Sequence, residues 1–364
     1  MNTVVLSAGG TGGHLFPAQA LAAELLHRGR KIVVMTDSRG RNSDTAFPGA
    51  DIESVPSASF VGSLPARMLA PLQIVCGIVI GWRKLKQLKP AAVVGFGGYP
   101  SFPVMVAAWL CGFPTAIHEQ NAVLGRVNRI LATRVSAIAA SLTLVRFAPR
   151  DSSYIVYTGN PVRPEAAQLS SAAYVEPDED GPIRLLVFGG SQGAHALSEV
   201  VPAAIGLLPD ALRRRLQIVQ QCRPEDIEQV RAAYSASGAD AEIAPFFDDL
   251  PARMASAHLV ISRSGASTIS ELAVIGRPSI LVPFPFATDD HQTANARVLA
   301  DAGAAWLAPQ RDLTPERLAL RLEMIFGAPV ELARRARAAH ALAKPDAAAR
   351  LADLVDRIAI AEAA

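Results

Sequence analysis

Short apolar segments alternate with longer Ala-rich or amphipathic segments along nearly the whole chain. The apolar segments predict strands near residues 3–8, 31–36, 92–96, 115–118 and 137–140, then 184–188, 217–220, 242–244, 259–262 and 279–282. The intervening pattern predicts helices that include 17–28, 194–207, 224–235, 266–275 and 291–302. This alternation of strand and helix predicts an α/β protein with parallel sheets and right-handed crossovers.

The length of 364 residues exceeds what one hydrophobic core usually organises, so we expect two domains. Gly-rich turns recur at Gly9 and Gly189, each after the first strand of its half. They indicate two similar nucleotide-type folds, at 1–160 and 161–345, with a final helix near 346–361 that could pack back on the first.

Charge is distributed unevenly although the formal net charge is only +2. Residues 1–160 carry 15 Lys and Arg against 7 Asp and Glu, whereas residues 161–364 carry 20 against 26. The basic half is therefore expected to meet something anionic, such as a membrane face or a pyrophosphate. Cys76, Cys111 and Cys222 show no metal-ligand spacing and fit structural thiols in a reducing compartment.

The two Gly-rich turns, at residues 9–14 (GGTGGH) and 189–194 (GGSQGA), favour phosphate binding over a turn without a ligand. Such turns let backbone N–H groups and a helix N-terminus approach an anion, and Ser191 can add a hydroxyl donor. Neither turn has the GxGxxG spacing of dinucleotide-binding folds, and no GK[ST] follows the glycines as a Walker A loop requires.

Two histidines are candidate general bases. His14 lies at the start of a helix, where the positive end of the dipole favours the neutral imidazole, but it could equally cap the helix or contact phosphate. His118 opens the tetrad HEQN at the carboxyl end of a strand, where open α/β sheets bind ligands. It could also be a strand-end residue that orients its neighbours.

Two polar clusters in the second half are candidate substrate contacts. The segment 264–271 (SGASTISE) could hold an anion at a helix start, with Glu271 placed to accept ribose hydroxyls, or it could be a capping arrangement. The segment 289–292 (DDHQ) resembles a reader of sugar hydroxyls more than a metal site. The acidic run 178–180 lies in a hydrophilic loop and is rejected as a metal motif, so neither a metal nor a cofactor is expected.

Residues 68–82 are apolar except for Gln73 and are followed by Arg83, Lys84, Lys86 and Lys89. This pattern fits shallow docking on an anionic bilayer and a buried crossover helix equally well. No apolar run reaches the ~18 residues that would suggest a spanning helix, and the N-terminus lacks the features of a signal peptide.

These motifs, taken in order, resemble the MurG family, the bacterial transferases that add N-acetylglucosamine to lipid I to make lipid II. The resemblance rests on GGTGGHLFPAQALA, VVGFGGYPSFP, HEQNAVLGRVNR, TGNPVR, GGSQGA, FFDDLPARMASAHLVISRSGASTISEL and PFPFATDDHQTANA, and runs from Val4 to beyond Ala336. It implies a GT-B architecture of two Rossmann-like domains facing across a cleft, with the UDP-sugar held mainly by the second domain.

The resemblance also implies roles for individual residues. Ser191 and Arg163 would contact the donor diphosphate, Phe247 would lie against the uracil, Glu271 would take the ribose hydroxyls and Gln292 those of the sugar. Ala266, Ser267, Thr268, Ile269 and Ser270 would line the diphosphate and ribose, and Thr11, Gly12, Gly13 and Asn121 would complete the donor site. The acceptor would lie near His14, Tyr99, His118 and Glu119. In many relatives the loop matching 57–64 carries basic residues, whereas this chain has none there.

The leading hypothesis is an inverting, metal-independent transferase at the cytoplasmic face of the bacterial inner membrane, held there peripherally. Its partners would be UDP-N-acetylglucosamine, lipid I and the anionic membrane surface, with no nucleic acid. The alternatives are a GT-B transferase with another lipid or aglycone acceptor, an NAD-dependent oxidoreductase, which the missing GxGxxG disfavours, and an inactive binding protein.

Overall fold

The computed structural model describes residues 2–9, 12–37, 47–58, 64–143, 146–190 and 193–361. The chain divides into two compact units, one of Met1–Arg163 with Asp346–Ala364 and the other of Pro164–Pro345. Each unit contains one parallel sheet, which confirms the predicted α/β class.

The N-terminal unit has a sheet of seven strands within the described residues. Its strands are β1 Thr3–Ser7, β2 Lys31–Thr36, β3 Asp51–Ser54, β4 Ala92–Gly95, β5 Thr115–Glu119, β6 Ala137–Ala140 and β7 Ile155–Tyr157. Its helices are α1 Gly12–His27, α2 Leu64–Leu88, α3 Gly98–Leu110 and α4 Arg126–Leu131, joined by the chain's last helix, α14 Ala347–Ala361. The strand order β3-β2-β1-β4-β5-β6-β7 reverses direction between β1 and β4.

The last helix belongs to the N-terminal unit because both its apolar and its charged faces meet α1. Leu351 and Val355 are fully buried in the same core cluster as Leu21 and Leu25 of α1. Arg28 Nη1 donates to Asp353 Oδ1 at 2.6 Å, beside this buried seam.

The second unit has a sheet of six strands within the described residues. Its strands are β8 Ile183–Phe188, β9 Leu216–Gln221, β10 Asp240–Ala244, β11 Leu259–Ser262, β12 Ser279–Leu281 and β13 Ala305–Leu307. Its helices are α5 Pro164–Gln168, α6 His195–Gly206, α7 Asp210–Arg213, α8 Ile227–Ser237, α9 Leu250–Ser256, α10 Ala266–Ile275, α11 His291–Asp301, α12 Pro315–Phe326 and α13 Pro329–Ala341. The order β10-β9-β8-β11-β12-β13 reverses between β8 and β11.

The hydrophobic pattern found the central strands but missed β3, β7 and β13, which lie at the sheet edges. These strands have three or four residues, and most of those residues are only partly buried. A short, half-exposed edge strand lacks the continuous apolar run that marks a buried parallel strand. The pattern also predicted that the first helix begins at residue 17, whereas α1 begins at Gly12 and continues through Pro17.

Helix α2 is continuous over 25 residues, although Pro71 and two glycines interrupt its apolar sequence. The stretch Met68–Leu88 is long and apolar enough to cross a membrane by length and composition, contrary to the expectation from the sequence, and 22% of its most apolar window is buried. One face packs on α3, because a Cβ at Gly77 would stand 3.0 Å from Pro103 Cβ and one at Gly81 3.4 Å from Ala107 Cβ. The helix is therefore fastened to the N-terminal unit along one side.

In open α/β sheets, ligands bind outside the carboxyl ends of the strands where the strand order reverses. In the N-terminal unit this point brings together the turns after β1 and β4. In the second unit it brings together the turns after β8 and β11.

Candidate active site

In the N-terminal unit, His14 lies on the backbone of the turn after β4. Gly97 and Gly98 have φ values of 81° and 69°, which glycine adopts without strain. A Cβ at Gly97 would stand 3.5 Å from His14 Cε1, and one at Gly98 would stand 3.4 Å from Cδ2. The two glycines therefore allow the imidazole to approach the backbone closely.

A chain of hydrogen bonds joins His14 to the HEQN tetrad. His14 Nδ1 lies 3.1 Å from Gln120 Oε1, and Gln120 Nε2 lies 3.0 Å from His118 Nδ1. Gln120 Nε2 also donates to Phe96 O at 3.0 Å. The residues after β1, β4 and β5 are thus connected through one side-chain amide.

His118 is fully buried, and its environment keeps it neutral. Burial lowers the pKa of His118 to about 4; the hydrogen bond to Gly159 O opposes this shift and the nearby His14 adds to it. His118 Nε2 lies 3.4 Å from Gly159 O and 3.2 Å from Ser141 Oγ. A buried, satisfied imidazole does not act as a base on an external substrate, so the structure favours the orienting role of His118.

Glu119 is 2% exposed and accepts four hydrogen bonds. Its Oε1 accepts from the Asn121 backbone N–H at 3.1 Å and from Asn121 Nδ2 at 3.2 Å. Its Oε2 accepts from Gly125 N and Asn128 Nδ2, each at 2.8 Å. The side chains of His118 and Glu119 thus help to hold the loop after β5, and their expected contact with the acceptor stays a prediction.

The other expected residues of this unit lie around the same edge. Tyr99 is in the first turn of α3 and donates to Asp37 Oδ2 at 3.2 Å. Asn121, the last residue of the HEQN tetrad, lies in the loop after β5. Gly12 and Gly13 form the first turn of α1, and the Arg163 guanidinium lies 5.9 Å from the centre of the Phe16 ring on that helix. Thr11 lies outside the described residues.

In the second unit, the Gly-rich turn after β8 requires its glycines. Gly190 and Gly193 have φ values of 83° and 66°. A Cβ at Gly189 would stand 2.3 Å from the backbone nitrogen of Ala194, closer than any real contact allows. The turn leads directly into α6, whose N-terminus carries positive potential. Ser191 lies outside the described residues.

The turn after β11 leads into α10, whose first residues were the expected lining of the donor site. Ala266 and Ile269 are buried, Ser267 and Thr268 are partly exposed, and Ser270 Oγ donates to Ala266 O at 2.8 Å within the helix. Ser267 Oγ is buried and has no hydrogen-bond partner. Glu271 lies on the second turn and is 4% exposed.

Phe247, which was expected to lie against the uracil, has a largely buried side chain. Its side chain is only 7% exposed, and the Arg253 guanidinium lies 4.2 Å from the centre of its ring. The neighbouring Phe246 is 62% exposed instead. The expected contact of Phe247 with uracil, read through its backbone groups, stays a prediction.

Gln292 is held at the start of α11 near the ends of β11 and β12. Its Oε1 accepts from Phe284 N at 2.9 Å, and its carbonyl accepts from Ser264 Oγ at 2.8 Å. Asp289 and Asp290 both have φ of 54°, which sets the abrupt turn into the helix. Among the described residues, no group of three or more His, Cys, Asp or Glu could hold a metal ion.

Two residues at these edges escaped the sequence analysis, Arg223 and Arg263, whereas Gln120 belonged to the HEQN tetrad but was given no role of its own. Arg263 follows β11, is 8% exposed, and donates to Val282 O and Pro283 O, both at 3.1 Å. Burial lowers the pKa of Arg263 to about 10, and nearby Arg223 acts in the same direction. Arg223 packs beside Gly193, since a Cβ there would stand 2.7 Å from Arg223 Cγ. Arg263 directly follows the apolar strand β11, a signal that could have identified it, whereas Arg223 lies two residues after β9, in which three of the six residues are glutamine.

Comparison with known proteins places both units in one enzyme family. Residues 4–140 match the model of the glycosyltransferase family 28 N-terminal domain, and residues 184–351 match that of the C-terminal domain. The chain is 53% identical over 361 residues to the UDP-N-acetylglucosamine--N-acetylmuramyl-(pentapeptide) pyrophosphoryl-undecaprenol N-acetylglucosamine transferase of Methylobacterium sp. (strain 4-46), covering 98% of this chain and 97% of the relative. It is 51% identical to the same enzyme of Rhodospirillum centenum, covering 98% and 94%.

Solved structures agree with this assignment. The crystal structure of Acinetobacter baumannii MurG is similar with a TM-score of 0.81 and 32% identity, covering 98% of this chain and all of that one. The UDP-GlcNAc 2-epimerase of Neisseria meningitidis shares the fold alone, with a TM-score of 0.68 and 13% identity over 98% of this chain and all of that one. The chain has a GT-B fold and belongs to the MurG family of UDP-N-acetylglucosamine-dependent glycosyltransferases.

Proposed function

We propose that the protein transfers N-acetylglucosamine from UDP-N-acetylglucosamine to the muramyl sugar of lipid I, giving lipid II for peptidoglycan synthesis. The identity of 53% and 51% to two transferases named for this reaction, each over 98% of this chain, carries the proposal. The 4-hydroxyl of the muramyl sugar attacks the anomeric carbon, the bond to UDP breaks, and the configuration inverts from α to β.

The donor diphosphate is held by the turn after β8 and the start of α10, and Arg163, Arg223 and Arg263 add positive charge. The fixed amides and guanidiniums meet the negative charge that develops on the leaving UDP, and such preorganised donors can replace a metal ion. Ser191 adds a hydroxyl, Glu271 accepts the ribose hydroxyls, and Gln292 contacts the sugar. Thr11, Gly12, Gly13 and Asn121 complete the donor contacts.

His14 is the general base, and Tyr99 lies on the acceptor side of the same unit. The placement of His14 against two glycines, with one ring nitrogen held by Gln120, supports this role. A base must reach the attacking hydroxyl within hydrogen-bond distance, and general-base help is typically worth ~10²–10⁴-fold in rate.

The test of this function is transfer of labelled N-acetylglucosamine to a lipid I analogue in the presence of EDTA. We expect a disaccharide product at the same rate with and without EDTA, and no transfer to non-muramyl acceptors. Equal transfer to a non-muramyl lipid would favour the alternative GT-B transferase, and a strict need for a divalent ion would contradict the metal-free mechanism.

We also propose that the N-terminal unit docks peripherally on the anionic cytoplasmic face of the inner membrane. Along α2, an exposed apolar stripe consists of Met68, Leu72, Val75, Val79 and Trp82, which are 76%, 68%, 56%, 43% and 38% exposed. The spacing of four and three residues puts these side chains on one face of the helix. The relatives are named as transferases that act on an undecaprenol-linked substrate, which supports a membrane-held acceptor.

Basic residues border the apolar stripe, but they are not equivalent. Lys86 Nζ lies 4.4 Å from the centre of the Trp82 ring, and Arg83 is exposed. Lys84 pairs with Glu53 and contributes less. Each remaining cation near an anionic surface is worth about 1 kcal/mol, so the attachment is reversible and sensitive to salt.

Vesicle co-sedimentation tests this docking with vesicles rich in phosphatidylglycerol. We expect the double variant Leu72→Glu with Val79→Glu to lose binding, and the triple variant Arg83→Glu, Lys86→Glu and Lys89→Glu to lose it at low salt. The matched control changes Leu320 and Met324 of α12, which are 59% and 61% exposed, to Glu. Equal sedimentation of all four proteins would contradict docking through α2.

A further inference from the structure

The side chain of Gln120 lies between the two histidines of the N-terminal unit and makes contacts that fix its orientation. Gln120 is 1% exposed. One end of its amide faces Phe96 O at 3.0 Å and His118 O at 3.3 Å. Both partners are carbonyls, which can only accept hydrogen bonds, so this end must be the NH₂ group. The carbonyl oxygen therefore points towards His14.

We propose that Gln120 is a positioning residue for catalysis, which accepts the proton on His14 Nδ1 and so leaves the lone pair on His14 Nε2. The distance between His14 Nδ1 and Gln120 Oε1 is 3.1 Å, and an amide oxygen can only accept. The proton of the neutral imidazole must then sit on Nδ1. This inference deepens the proposed function and rests on it, because it assigns the atom that removes the acceptor's proton.

The rest of the hydrogen-bond chain prevents this arrangement from reversing. His118 Nδ1 accepts from the Gln120 NH₂ group at 3.0 Å, so the proton of His118 sits on Nε2. That nitrogen faces Gly159 O and Ser141 Oγ, both of which can accept. If the Gln120 amide were rotated, its oxygen would face Phe96 O and the hydrogen bonds of its NH₂ group would be lost. In a buried site, polar groups without a partner are costly.

A neutral amide is suited to this position. A carboxylate in place of Gln120 would also fix the proton on Nδ1, but it would stabilise the imidazolium and leave less of the free base. In the reaction, the proton of the attacking 4-hydroxyl moves to His14 Nε2 while the new C–O bond forms. The electron pair of the broken anomeric C–O bond leaves with UDP, and the imidazolium keeps its Nδ1–H on Gln120.

The test begins with long-range ¹H–¹⁵N NMR of the full-length protein labelled with ¹⁵N-histidine at neutral pH, with His14 assigned from the His14→Ala variant. We expect a protonated Nδ1 and an unprotonated Nε2. A protonated Nε2 would overturn the inference. This readout does not depend on transfer activity, so it is also independent of the proposed function.

The kinetics of two variants then distinguish a positioning role of Gln120 from a purely structural one. Gln120→Met keeps the size but removes the acceptor, so we expect kcat to fall roughly tenfold or more with the donor KM within about twofold. Gln120→Glu should move the acid limb of the kcat–pH profile to higher pH, which a purely structural residue would not do. The matched control is Gln220→Met, because Gln220 is also fully buried and binds Tyr234 in the second unit; it should alter stability without moving the profile.

The outcomes distinguish the inference from the function on which it rests. If the Nδ1 proton is found but neither His14→Ala nor Gln120→Met lowers kcat, the base assignment falls and the inference falls with it. If wild type fails to transfer the sugar at all, the proposed function falls, whatever the tautomer.

Discussion

The two parallel sheets use their carboxyl edges in different ways. In the N-terminal unit, His118 and Glu119 end β5 and Gln120 follows it; all three are at most 2% exposed, and their polar atoms bind neighbouring side chains and the backbone. In the second unit, the corresponding edge consists of glycine turns, helix N-termini and buried arginine. The first edge fixes the orientation of its side chains, and the second has the backbone turns and helix N-termini that suit the anion-binding role proposed for it.

The same contrast matches two tasks of the proposed sugar transfer, which are to orient a base and to bind a diphosphate. A base must be placed with one protonation state and one orientation, which buried side-chain networks provide. A diphosphate is recognised by its charge and shape, which backbone amides and guanidiniums provide. Substitutions in the His14 network should therefore alter turnover, and substitutions at Glu271 and at the glycine turn after β8 should alter donor binding.

The largest expected effect comes from His14. His14→Ala removes the general base and should lower kcat by ~10²–10⁴-fold while UDP binding stays nearly unchanged. The measurement is steady-state transfer kinetics beside a titration of UDP. Loss of UDP binding with normal turnover would make His14 a phosphate contact and end the contrast between the units.

The buried network of the first unit should make that unit sensitive to acid. His118 titrates at about 4 when folded and near 6.5 when unfolded, so the unfolded state binds more protons between these values. Burial of the neutral His118 therefore contributes about 3 kcal/mol to the free energy of unfolding. This contribution is complete above about pH 6.5 and is lost as pH falls towards 4.

Urea unfolding followed by tryptophan fluorescence can measure this acid sensitivity in the correct unit. Trp82 and Trp109 lie in the N-terminal unit and Trp306 in the second, so a Trp306→Phe background reports on the first alone. In that background, the free energy of unfolding should fall less between pH 7 and pH 5 for His118→Gln than for the protein that retains His118. An identical loss in both proteins would show that other groups cause the acid sensitivity.

Glu271 tests the donor side of the comparison. Glu271→Ala removes a charged acceptor worth ~1.5–3 kcal/mol, so the donor KM should rise roughly 10- to 150-fold with little change for the acceptor. UDP and 2′-deoxy-UDP should compete differently with wild type but almost equally with the variant. If the variant still discriminates fully between these nucleotides, Glu271 does not bind the ribose 2′-hydroxyl.

The smallest expected effect concerns backbone shape at the second edge. Gly190 has φ of 83°, and among the described residues no atom beyond its chain neighbours lies within 4 Å of an added Cβ, so Gly190→Ala introduces strain of ~1–2 kcal/mol without a clash there. We expect a donor KM raised by up to about tenfold, corresponding to 1.4 kcal/mol. Gly112 is the matched control, because its φ is 71° with equally open space, and Gly112→Ala should leave the donor KM unchanged.

The sequence predicted the central strands, the two Gly-rich turns and their position at the carboxyl edges, because continuous apolar runs and glycine spacing are local signals. It could not predict that Glu119 would be surrounded by four donors, since Gly125 and Asn128 reach it only after the loop folds. Nor could it tell the buried Phe247 from the exposed Phe246, because the direction of each side chain depends on where β10 ends.

The most direct test of the division between the units is calorimetric titration of UDP into the wild type, His14→Ala and Glu271→Ala, with single-turnover transfer measured on the same samples. The account predicts that His14→Ala binds UDP like the wild type yet transfers slowly at saturating donor. It predicts that Glu271→Ala binds UDP weakly yet transfers at nearly the wild-type rate once saturated. The reverse pattern, with weak UDP binding for His14→Ala and slow saturated transfer for Glu271→Ala, would contradict it.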